Sequence, residues 1–460
     1  MKELNKEDII KAVQGKNDFP QYSPRISSVE VDSRRISEGA LYIALKGEKA
    51  DGHDFIGEAI KKGARLVFSR DSSVKGREII CVEDTQRALG DLAKFYLRSL
   101  NARRFAVTGS SGKTTTKDMI YYVLDEGFRA HRSLGNHNNE IGLPLTILQM
   151  DPETEAAIFE MGMYDLGEID YLAEIVRPQV AVITNIGSCH IERLLTRDNI
   201  MKAKMEIAGY LQEGDLLILN GDDEYLGRLR NAKTPYDKIF CGLSKGNDLI
   251  ARDIETREGR SFFCLADKSG RFSFDEDIRI ELPAAGVHNI QNALCAIACG
   301  LVGGMSLEAA ARGLLKFQPS DLRMQIREQN GIRLINDAYN ANPESMMAVI
   351  RSMEAYGKGR KIGVLGDMLE LGEISKDAHE AVGREAAKHF ECLCLIGREM
   401  EYAFSTLRAE GVAEERLAYF EDKEKAAEYL KLLMKPGDTL LLKASRGMRL
   451  EEIAEVLFPA

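Results

Sequence analysis

The sequence lacks three features that would each point to a particular class of protein. No stretch approaches about 18 uninterrupted apolar residues, so we expect no membrane-spanning helix. The eight cysteines include no C-x-x-C pair and follow no regular spacing, which argues against a disulfide framework. Acidic residues outnumber basic ones, because the sequence has 72 Asp and Glu residues and 62 Lys and Arg residues, and the formal net charge is −10. Such a chain is not expected to bind nucleic acid or an anionic membrane broadly, although it can still bind an anion locally.

The composition that remains is that of a globular protein with several domains. Hydrophobic residues make up 44% of the chain and charged residues 29%. At 460 residues the chain is too long for one core, so several domains of roughly 100–200 residues each are expected. The N-terminal stretch "MKELNKEDII" is charged and shows no signal peptide, so the protein is expected to be cytoplasmic.

Hydrophobic patterning divides the chain into three α/β regions. Residues up to about 98 alternate short strand-like runs with short helical ones. The runs "RRFAVT", "AAIFEMG" and "VAVITNIG" that follow are almost continuously apolar, which is typical of parallel strands buried on both faces. After the segment "KFQPSD" the alternation of strands and helices restarts. The predicted domains are therefore residues 1–98, 99–318 and 319–460.

The stretch "FAVTGSSGKTTTKD" predicts a phosphate site. An apolar strand ends in a Gly/Ser loop, and a helix is expected from Lys113 onward. Backbone N–H groups of such a loop can approach phosphate oxygens, and the helix N-terminus adds positive partial charge. Lys113 would contact the β and γ phosphates, and Thr114 or Thr115 would offer a hydroxyl to Mg²⁺. The loop is shorter than the G-x-x-x-x-G-K-[ST] pattern, and a simple Gly/Ser turn is the alternative.

Two further strands end in side chains that suit a metal ion. The run "TEAAIFE" ends in Glu160, and "VAVITNIGSCHIE" ends near His190 and Glu192. Mg²⁺ prefers carboxylate oxygens next to bound phosphates, so Glu160 and His190 are candidate ligands. The alternatives are that Glu160 only begins an exposed turn and that His190 is structural.

Lys204 occupies an unusual position in the pattern of the segment "RDNIMKAKMEIAGYL". At about 100° per residue, Ile200, Ala203, Ile207 and Leu211 form one apolar helix face. Lys204 falls within that face, and a charge there must be paired, neutralised or chemically modified. Either the side chain reaches out to solvent, or a buried neutral amine reacts with CO₂ to form a carbamate that can bind Mg²⁺.

These motifs, in this order, resemble the Mur ligase family, ADP-forming enzymes that build the peptide of bacterial cell-wall precursors. The loop "TGSSGKTTT" has the shortened form of that family, and the likeness covers nearly the whole chain. The other motifs that carry it are "DSRRISEGALYIALKGEKADGHDF", "NHNNEIGLP", "EMGMYDLGEID", "NIGSCHIE", "AKMEI", "HNIQNA", "NDAYNANPESM", "GDMLELG" and "LLKASRG". Each motif is moderately specific, whereas their order and spacing are highly specific.

The resemblance implies an α/β protein of three domains. These would be a small N-terminal α/β UDP-binding domain, a central P-loop-type parallel-sheet ATPase domain and a C-terminal Rossmann-like domain that binds the incoming amine. The reaction implied is the addition of D-alanyl-D-alanine to UDP-N-acetylmuramoyl-tripeptide, with ATP and Mg²⁺, by a monomer. The sequence "NANP" stands where ligases for diaminopimelate have "DNPR", which favours the D-alanyl-D-alanine step.

The resemblance also implies a set of site residues. Those that would contact ATP are Gly109, Ser110, Ser111, Gly112, Lys113, Thr114, Thr115, Asn289, Asn292, Arg323 and Asp337. Those that would hold the metal are Thr114, Glu160, His190 and a carbamylated Lys204, and Lys113, Glu160, His190 and Lys204 would be the catalytic set. Those that would bind the UDP substrate are Asp32, Ser33, Arg34, Gly47, Asp51 and His53. Those that would bind the dipeptide are Tyr339, Asn340, Asn342, Lys443, Ser445 and Arg446.

Three departures from the family pattern and several alternatives accompany this interpretation. Cys189 stands where the family usually has alanine, Asn336 where it often has an acid, and Leu322 where glycine commonly precedes the arginine. The alternative ligases are a Mur-type enzyme that adds diaminopimelate or lysine and a folylpolyglutamate-type enzyme. A nucleotide-switched binding protein is the alternative from another class. The third residue of the tripeptide, lysine or meso-diaminopimelate, stays open.

Overall fold

Parallel β-sheets flanked by helices make up most of the computed structural model, which describes residues 1–320, 322–357 and 359–459. The chain forms two compact units, one of residues 1–108, 127–181 and 205–216 and the other of residues 109–126, 182–204 and 217–460. Asp321, the last residue of the "KFQPSD" segment, lies outside the described residues, as do Lys358 and Ala460 of the third predicted domain. The predicted domain boundaries after residues 98 and 318 stay predictions.

The first region is built on a small parallel sheet. Its elements are β1 (Leu4–Asn5), α1 (Lys6–Val13), β2 (Arg25–Ile26), β3 (Ser28–Glu30), β4 (Ala40–Ile43), α2 (Ile56–Lys61), β5 (Leu66–Ser69), β6 (Ile79–Cys81) and α3 (Thr85–Arg98). Strands β3 to β6 pair in sequence order and in parallel, and β1 pairs with β2 in an antiparallel ribbon. All four residues of β4 and of β5 are buried.

The second region contributes a nine-stranded sheet. Its elements up to the sixth strand are β7 (Arg103–Thr108), α4 (Lys113–Leu124), β8 (Ala130–Arg132), α5 (Gly142–Leu148), β9 (Ala156–Glu160), α6 (Glu168–Val176), β10 (Val180–Ile183), α7 (Ile191–Leu194), α8 (Arg197–Met205), β11 (Leu216–Asn220), α9 (Glu224–Gly227) and β12 (Asp237–Gly242). Then follow β13 (Leu249–Arg257), β14 (Arg260–Asp267), β15 (Arg279–Leu282), α10 (Val287–Val302) and α11 (Leu307–Leu315). The strand order is β15-β14-β13-β12-β11-β10-β7-β9-β8. Strands β13, β14 and β15 form an antiparallel extension that the sequence analysis did not predict.

The third region forms a six-stranded sheet with an apolar core on each face. Its elements are β16 (Gln325–Gln329), β17 (Ile332–Asn336), α12 (Pro343–Ser352), β18 (Lys361–Gly366), α13 (Ser375–His389), β19 (Cys392–Ile396), α14 (Met400–Ala409), β20 (Leu417–Phe420), α15 (Lys423–Leu433), β21 (Thr439–Lys443) and α16 (Glu451–Leu457). The strand order is β16-β17-β21-β18-β19-β20, and only the β16–β17 pair is antiparallel. Alternate residues of β18 and β21 enter two separate buried clusters, which explains their continuous apolar sequences. In the part of the chain that the structure describes, no helix has the length and apolar character that crossing a membrane requires.

Candidate functional site

The loop between β7 and α4 has the backbone that a phosphate-binding turn requires. Gly109 has a φ of +152°, and a Cβ there would lie 1.8 Å from the Thr184 Oγ1 atom. Gly112 has a φ of +76° and immediately precedes α4, which begins at Lys113 as predicted. A Cβ on Gly112 would lie 2.8 Å from the Asn292 Oδ1 atom. Both glycines are therefore required by close approach as well as by conformation.

The two serines of the loop are held by the segment that follows β10. The Ser111 N–H donates to the Asn185 side-chain oxygen at 2.9 Å, and the Asn185 amide donates to the Ser111 hydroxyl at 2.9 Å. The Ser110 N–H donates to the Asn185 carbonyl at 3.1 Å, and the Gly187 N–H donates to the Ser110 hydroxyl at 2.9 Å. Asn185 lies within the "NIGSCHIE" motif but was not predicted as a site residue. The signal that could have identified it is a polar side chain directly after a buried strand.

Lys113 bends back over the same loop. Its ammonium group donates to the Gly109 carbonyl oxygen at 2.8 Å. The positive charge therefore lies above the loop, where a phosphate oxygen would be neutralised. Thr114 is buried at the start of α4, whereas Thr115 is only partly buried.

Glu160 ends the strand next to β7 in the sheet. It stands in register with Val107, two residues before Gly109, and it is buried. Its Oε1 atom accepts a hydrogen bond from the Asn138 amide at 2.8 Å, and its N–H approaches the Ser133 hydroxyl at 3.4 Å. The alternative that Glu160 only begins an exposed turn is excluded by this burial. Asn138 lies in the quoted motif "NHNNEIGLP" and was not singled out as a site residue.

His190 is placed by an unusual backbone conformation just before α7. Its φ is +63°, and its Nδ1 atom lies 2.9 Å from the Glu370 Oε2 atom. Burial, together with the positive charges of Lys113 and Lys204, lowers the pKa of His190 to about 4. The ring is therefore neutral at pH 7, as a metal ligand must be. The shared influence of these charges places Lys113, His190 and Lys204 in one region of the molecule.

Lys204 is buried in the apolar face of α8, so the alternative that its side chain reaches out to solvent is excluded. It is 1% exposed, and Ile200, Ala203 and Ile207 of the same face are also buried, whereas Lys202 is exposed. Burial, followed by the charge of Lys113, lowers the pKa of Lys204 to about 7. Within residues 1–320, 322–357 and 359–459, no carboxylate forms an ion pair with this amine. A large fraction of the Lys204 side chains is therefore neutral at pH 7.

Two of the residues predicted to contact ATP, Asn289 and Asn292, lie on α10. The Asn289 side chain donates to the Ala285 carbonyl at 2.8 Å, and the Asn292 amide contacts Gly112 of the phosphate loop. Helix α10 also packs against α4. The helix that follows the phosphate loop and the helix that carries Asn289 and Asn292 are therefore neighbours.

The two residues of the third region that were predicted to contact ATP, Arg323 and Asp337, already have partners within the protein. The Asp337 Oδ2 atom pairs with the Lys443 ammonium at 2.5 Å, and its Oδ1 atom accepts from the Met324 N–H at 3.1 Å. The Arg323 guanidinium lies 4.1 Å from the centre of the Tyr339 ring. Asp337 and Lys443 were assigned to different substrates, and the structure brings them together in a buried pair.

Two of the residues predicted to bind the dipeptide have structural partners for their side chains. Asn342 caps α12, because its side-chain oxygen accepts from the Ser345 N–H at 2.8 Å. The Ser445 hydroxyl accepts from the Leu369 N–H at 2.9 Å and donates to the Ala341 carbonyl at 3.2 Å. Asn340 and Arg446 are both exposed; the Arg446 guanidinium forms an ion pair with Glu451, and the Asn340 carbonyl accepts a hydrogen bond from the Lys443 ammonium at 3.0 Å.

The residues predicted to bind the UDP substrate form two capped turns after β3 and β4. Asp32 caps the turn Ser33–Arg35, and hydrogen bonds from Arg34 lower the pKa of Asp32 to about 2. Asp51 caps the turn Gly52–Phe55, and its carboxylate lies 2.6 Å from the His53 Nδ1 atom. Burial and then the charges of Asp32 and Asp51 raise the pKa of Tyr42 to about 12, so both turns lie near this ring. Gly47 lies in the loop between them and donates its N–H to the Ala50 carbonyl.

The predicted set of metal ligands stays a prediction. Within the described ranges of the chain, no three His, Cys, Asp or Glu side chains form a group that could hold a metal. Of Thr114, Glu160, His190 and Lys204, only Glu160 and His190 belong to those residue types. A carbamate on Lys204 would add a second anionic oxygen donor, and oxygen donors are what Mg²⁺ prefers.

A phosphate loop between a parallel strand and a helix defines the class of an α/β nucleotide-binding protein, and comparison with known proteins specifies it further. Three family models match, namely the Mur ligase family catalytic domain at residues 25–97, the Mur ligase middle domain at 107–300 and the Mur ligase glutamate ligase domain at 322–446. The chain is 39% identical to UDP-N-acetylmuramoyl-tripeptide--D-alanyl-D-alanine ligase of Bacillus subtilis. The alignment of 463 residues covers 98% of this chain and 97% of the relative. The chain belongs to the Mur ligase family.

Solved structures agree with this assignment. The MurF structure from Acinetobacter baumannii has a TM-score of 0.90 at 30% identity and covers 99% of each chain. The MurF ligase from Thermotoga maritima, solved in complex with ADP, has a TM-score of 0.82 at 30% identity and covers 94% of this chain and 96% of that one. The mixed α/β fold with parallel sheets and the membership of an ATP-binding ligase family are thereby confirmed.

Proposed function

We propose that the protein is an ATP-dependent, ADP-forming ligase that joins D-alanyl-D-alanine to UDP-N-acetylmuramoyl-tripeptide in peptidoglycan precursor synthesis. The similarity to ligases of that name over nearly the whole chain supports the choice of substrates. The observation that carries the ligase chemistry is the buried Lys204 in the same region as Lys113 and His190. A nucleotide-switched binding protein has no need for a neutral amine there.

The three regions would each take one substrate. Residues 1–98 would hold the UDP group through Asp32, Ser33, Arg34, Gly47, Asp51 and His53. Residues 99–318 would hold ATP, and residues 319–460 would bring the dipeptide through Tyr339, Asn340, Asn342, Lys443, Ser445 and Arg446. Asn342 and Ser445 would act through the loops they hold, since their side chains bond to the backbone. We further propose that the enzyme acts as a cytoplasmic monomer.

The phosphate loop would carry the first chemical step. An amide cannot form directly from a carboxylate, because a carboxylate is a poor electrophile. The terminal carboxylate oxygen of the tripeptide attacks the γ-phosphorus of ATP, the bond to the β-phosphate oxygen breaks, and an acyl phosphate and ADP result. Backbone N–H groups of the loop and the ammonium of Lys113 stabilise the charge on the phosphate oxygens.

The second step needs positioning more than it needs a reactive side chain. The amine of D-alanyl-D-alanine attacks the acyl carbon, and phosphate leaves from the tetrahedral intermediate as the nitrogen loses a proton. No protein side chain forms a bond to the substrate in this scheme. Correct placement of the two reactants would therefore supply much of the acceleration.

Thr114, Glu160, His190 and a carbamate on Lys204 would hold Mg²⁺. Bound there, Mg²⁺ would neutralise charge on the phosphates and the attacking carboxylate. The Lys204 amine would add to CO₂ with loss of one proton, and this reaction requires the neutral amine that burial favours. The donor chemistry fits Mg²⁺, since three of the four ligands would bind through oxygen.

An amine screen tests the proposed function directly. Phosphate release and product mass would be measured with ATP, UDP-N-acetylmuramoyl-tripeptides ending in lysine or in meso-diaminopimelate, and a panel of amines. We expect D-alanyl-D-alanine to be used and free diaminopimelate, lysine and glutamate to be refused. Activity with a free amino acid but not with the dipeptide would refute the proposal.

A second experiment tests the carbamate. The variant Lys204→Ala is expected to lose ligation and to regain part of it when short carboxylic acids are added, because these replace the missing anion. Lys202→Ala is the matched control, since Lys202 is exposed on the opposite side of the same helix. Full ligation by Lys204→Ala, unchanged when CO₂ is removed, would contradict the carbamate.

A further inference from the structure

We propose that Glu451 is a positioning residue that holds the guanidinium of Arg446, so that Arg446 binds the terminal carboxylate of the incoming dipeptide. The inference rests on the proposed function, in which D-alanyl-D-alanine is the amine substrate and Arg446 is one of the residues that bind it. It adds which group of the dipeptide Arg446 recognises and which residue fixes Arg446.

The Arg446 guanidinium uses only part of its hydrogen-bonding capacity within the protein. Its Nη1 group donates to the Glu451 Oε1 atom at 2.5 Å, and 55% of the Arg446 side chain is exposed. A guanidinium carries five N–H donors in a planar fork. Among the described residues, no second acceptor takes a hydrogen bond from this group. The edge formed by Nε and Nη2 can therefore donate two parallel hydrogen bonds to a carboxylate from outside the protein.

The Glu451 carboxylate is placed to fix the orientation of Arg446. Its side chain is 14% exposed, and its Oε2 atom is buried without a hydrogen-bond partner in the part of the chain that the structure describes. Glu451 begins α16, which is anchored by the buried residues Leu450, Ile453 and Ala454. An acceptor on an anchored helix restricts the long Arg446 side chain before a ligand arrives. Less conformational entropy is then lost when the ligand binds.

The backbone that carries Arg446 is fixed on both sides. Before it, the Ser445 N–H donates to the Asp367 carbonyl at 3.0 Å, and the Ser445 hydroxyl accepts from the Leu369 N–H at 2.9 Å. After it, the Arg449 N–H donates to the Arg446 carbonyl at 3.2 Å and closes a short turn. The backbone of Arg446 and its guanidinium are thus both held by the protein.

Arg446 lies at the edge of the six-stranded sheet where the other residues predicted to bind the dipeptide are found. Strand β21 ends at Lys443, three residues before Arg446, and its parallel neighbour β17 ends at Asn336. The segment after β17 is joined to β21, because the Lys443 ammonium donates to the Asn340 carbonyl at 3.0 Å. Ligands of parallel α/β sheets bind outside the carboxyl ends of the strands. An anionic group of a ligand bound at this edge would meet Arg446.

The chemistry of the dipeptide determines which of its groups Arg446 binds. D-alanyl-D-alanine has one amine, which reacts, and one carboxylate, which does not. A guanidinium can only donate hydrogen bonds and always carries a positive charge, so it binds the carboxylate and repels a protonated amine. Binding at the unreactive end leaves the amine free to attack the acyl carbon.

The first test compares dipeptides with and without the carboxylate. KM and kcat would be measured by phosphate release for D-alanyl-D-alanine and for its C-terminal amide. We expect the wild type to prefer the carboxylate by about 10- to 100-fold in kcat/KM, as the loss of a charged hydrogen-bond partner predicts. In Arg446→Ala the two substrates should become nearly equal. An unchanged preference in Arg446→Ala would overturn the inference.

The second test examines Glu451 itself. Glu451→Ala is expected to raise the KM for D-alanyl-D-alanine by about 3- to 10-fold, because Arg446 must then be ordered by the substrate. The kcat, the KM for ATP and the KM for the dipeptide amide should not change. Glu451→Gln keeps an acceptor oxygen and should restore most of the affinity. Glu455→Ala, which removes an exposed carboxylate of the same helix, is the matched control and should resemble the wild type.

Three results with Glu451→Ala would contradict the positioning role. An unchanged KM would show that Arg446 does not need this partner. A lower KM would show that Glu451 competes with the substrate for Arg446. Equal increases for the dipeptide and its amide would show general damage to the site, and urea unfolding would measure any loss of stability directly.

A double variant separates positioning from folding. In the Arg446→Ala background, Glu451→Ala should not raise the KM further, whereas structural damage would raise it in both backgrounds. If the wild type uses no dipeptide, the proposed function fails and the inference fails with it. If the wild type uses the dipeptide but Glu451→Ala leaves its KM unchanged, the inference alone fails.

Discussion

The carboxylate of Glu344 accepts two hydrogen bonds from Ser188, one from the N–H at 2.9 Å and one from the hydroxyl at 3.1 Å. Glu344 lies in the first turn of α12, and Ser188 follows β10 just before His190. A Cβ on the neighbouring Gly187 would lie 2.8 Å from the Glu344 carboxyl carbon, so the two segments are in tight contact. The start of α12 is thus anchored to the segment that carries His190.

The first prediction concerns this anchor. Glu344→Ala is expected to lower the free energy of unfolding by about 1.5–3 kcal/mol, because a charged acceptor is removed and the Ser188 N–H loses its partner. Urea unfolding followed by circular dichroism would measure the change. Glu415→Ala, which removes an exposed carboxylate of the same region, is the control. Equal stability losses in the two variants would show that the anchor contributes nothing specific.

Gly109 gives a second prediction. A Cβ there would overlap the Thr184 hydroxyl, which donates to the Ser111 carbonyl at 2.6 Å, so Gly109→Ala must displace one strand end or the other. We expect ADP binding to weaken at least 10-fold, as measured by calorimetry. Gly57→Ala is the control, because a Cβ at that position meets nothing within 4 Å. Normal ADP affinity in Gly109→Ala would mean that the loop does not bind the phosphates.

The buried pair of Asp337 and Lys443 allows a double-mutant cycle. Asp337→Ala is expected to cost about 3–5 kcal/mol of unfolding free energy, since Lys443 would stay buried without its anion. Lys443→Met should lower the free energy of unfolding less in the Asp337→Ala background than in the wild type, because it then removes a buried charge that has no partner. Strictly additive losses, measured by urea unfolding of all four proteins, would contradict a direct interaction.

The pH dependence of stability should report on His379. Burial lowers the pKa of His379 below its usual value of 6.5, although the Ser375 carbonyl and the carboxylates of Asp367 and Glu399 act in the opposite direction. As the pH falls below 6.5, the unfolded chain takes up the proton before the folded one does. The free energy of unfolding should therefore decrease as the medium becomes more acidic.

The variant His379→Gln isolates this contribution. Glutamine can still accept the Met368 N–H through its side-chain oxygen but cannot be protonated, so its stability should fall less between pH 7 and pH 5 than that of the wild type. His137→Gln, which replaces an exposed histidine, serves as the control. The free energy of unfolding would be measured with urea at several pH values. The same change with pH in His379→Gln and in the wild type would disprove the prediction.

Local patterns predicted the buried parallel strands, the start of α4 and the position of Lys204 on the apolar face of its helix. Each of these depends on residues within one or two helical turns, where the spacing of apolar side chains already fixes which face is buried. Lys204 illustrates this, because it shares one helix face with Ile200, Ala203 and Ile207, which are also buried.

Contacts between distant segments could not be predicted in the same way. Asn185 lies 74 residues from Ser111, and Glu370 lies 180 residues from His190. Nothing in the local sequence of either residue shows which loop it will reach. Asn342 shows a related limit, since one amide can cap a helix or contact a ligand and only the structure shows that it caps α12.

Strands β7 and β9 are parallel and run toward the edge of the sheet where Thr108 and Glu160 end them. Their starting ends are therefore remote from the chemistry, and the turn before β9 is exposed at residues 151–153. A fluorophore, an affinity tag or a surface tether attached at that turn would leave the phosphate loop and its neighbours unmodified. The direction of these two strands thus identifies where a label can be attached without disturbing what the assay measures.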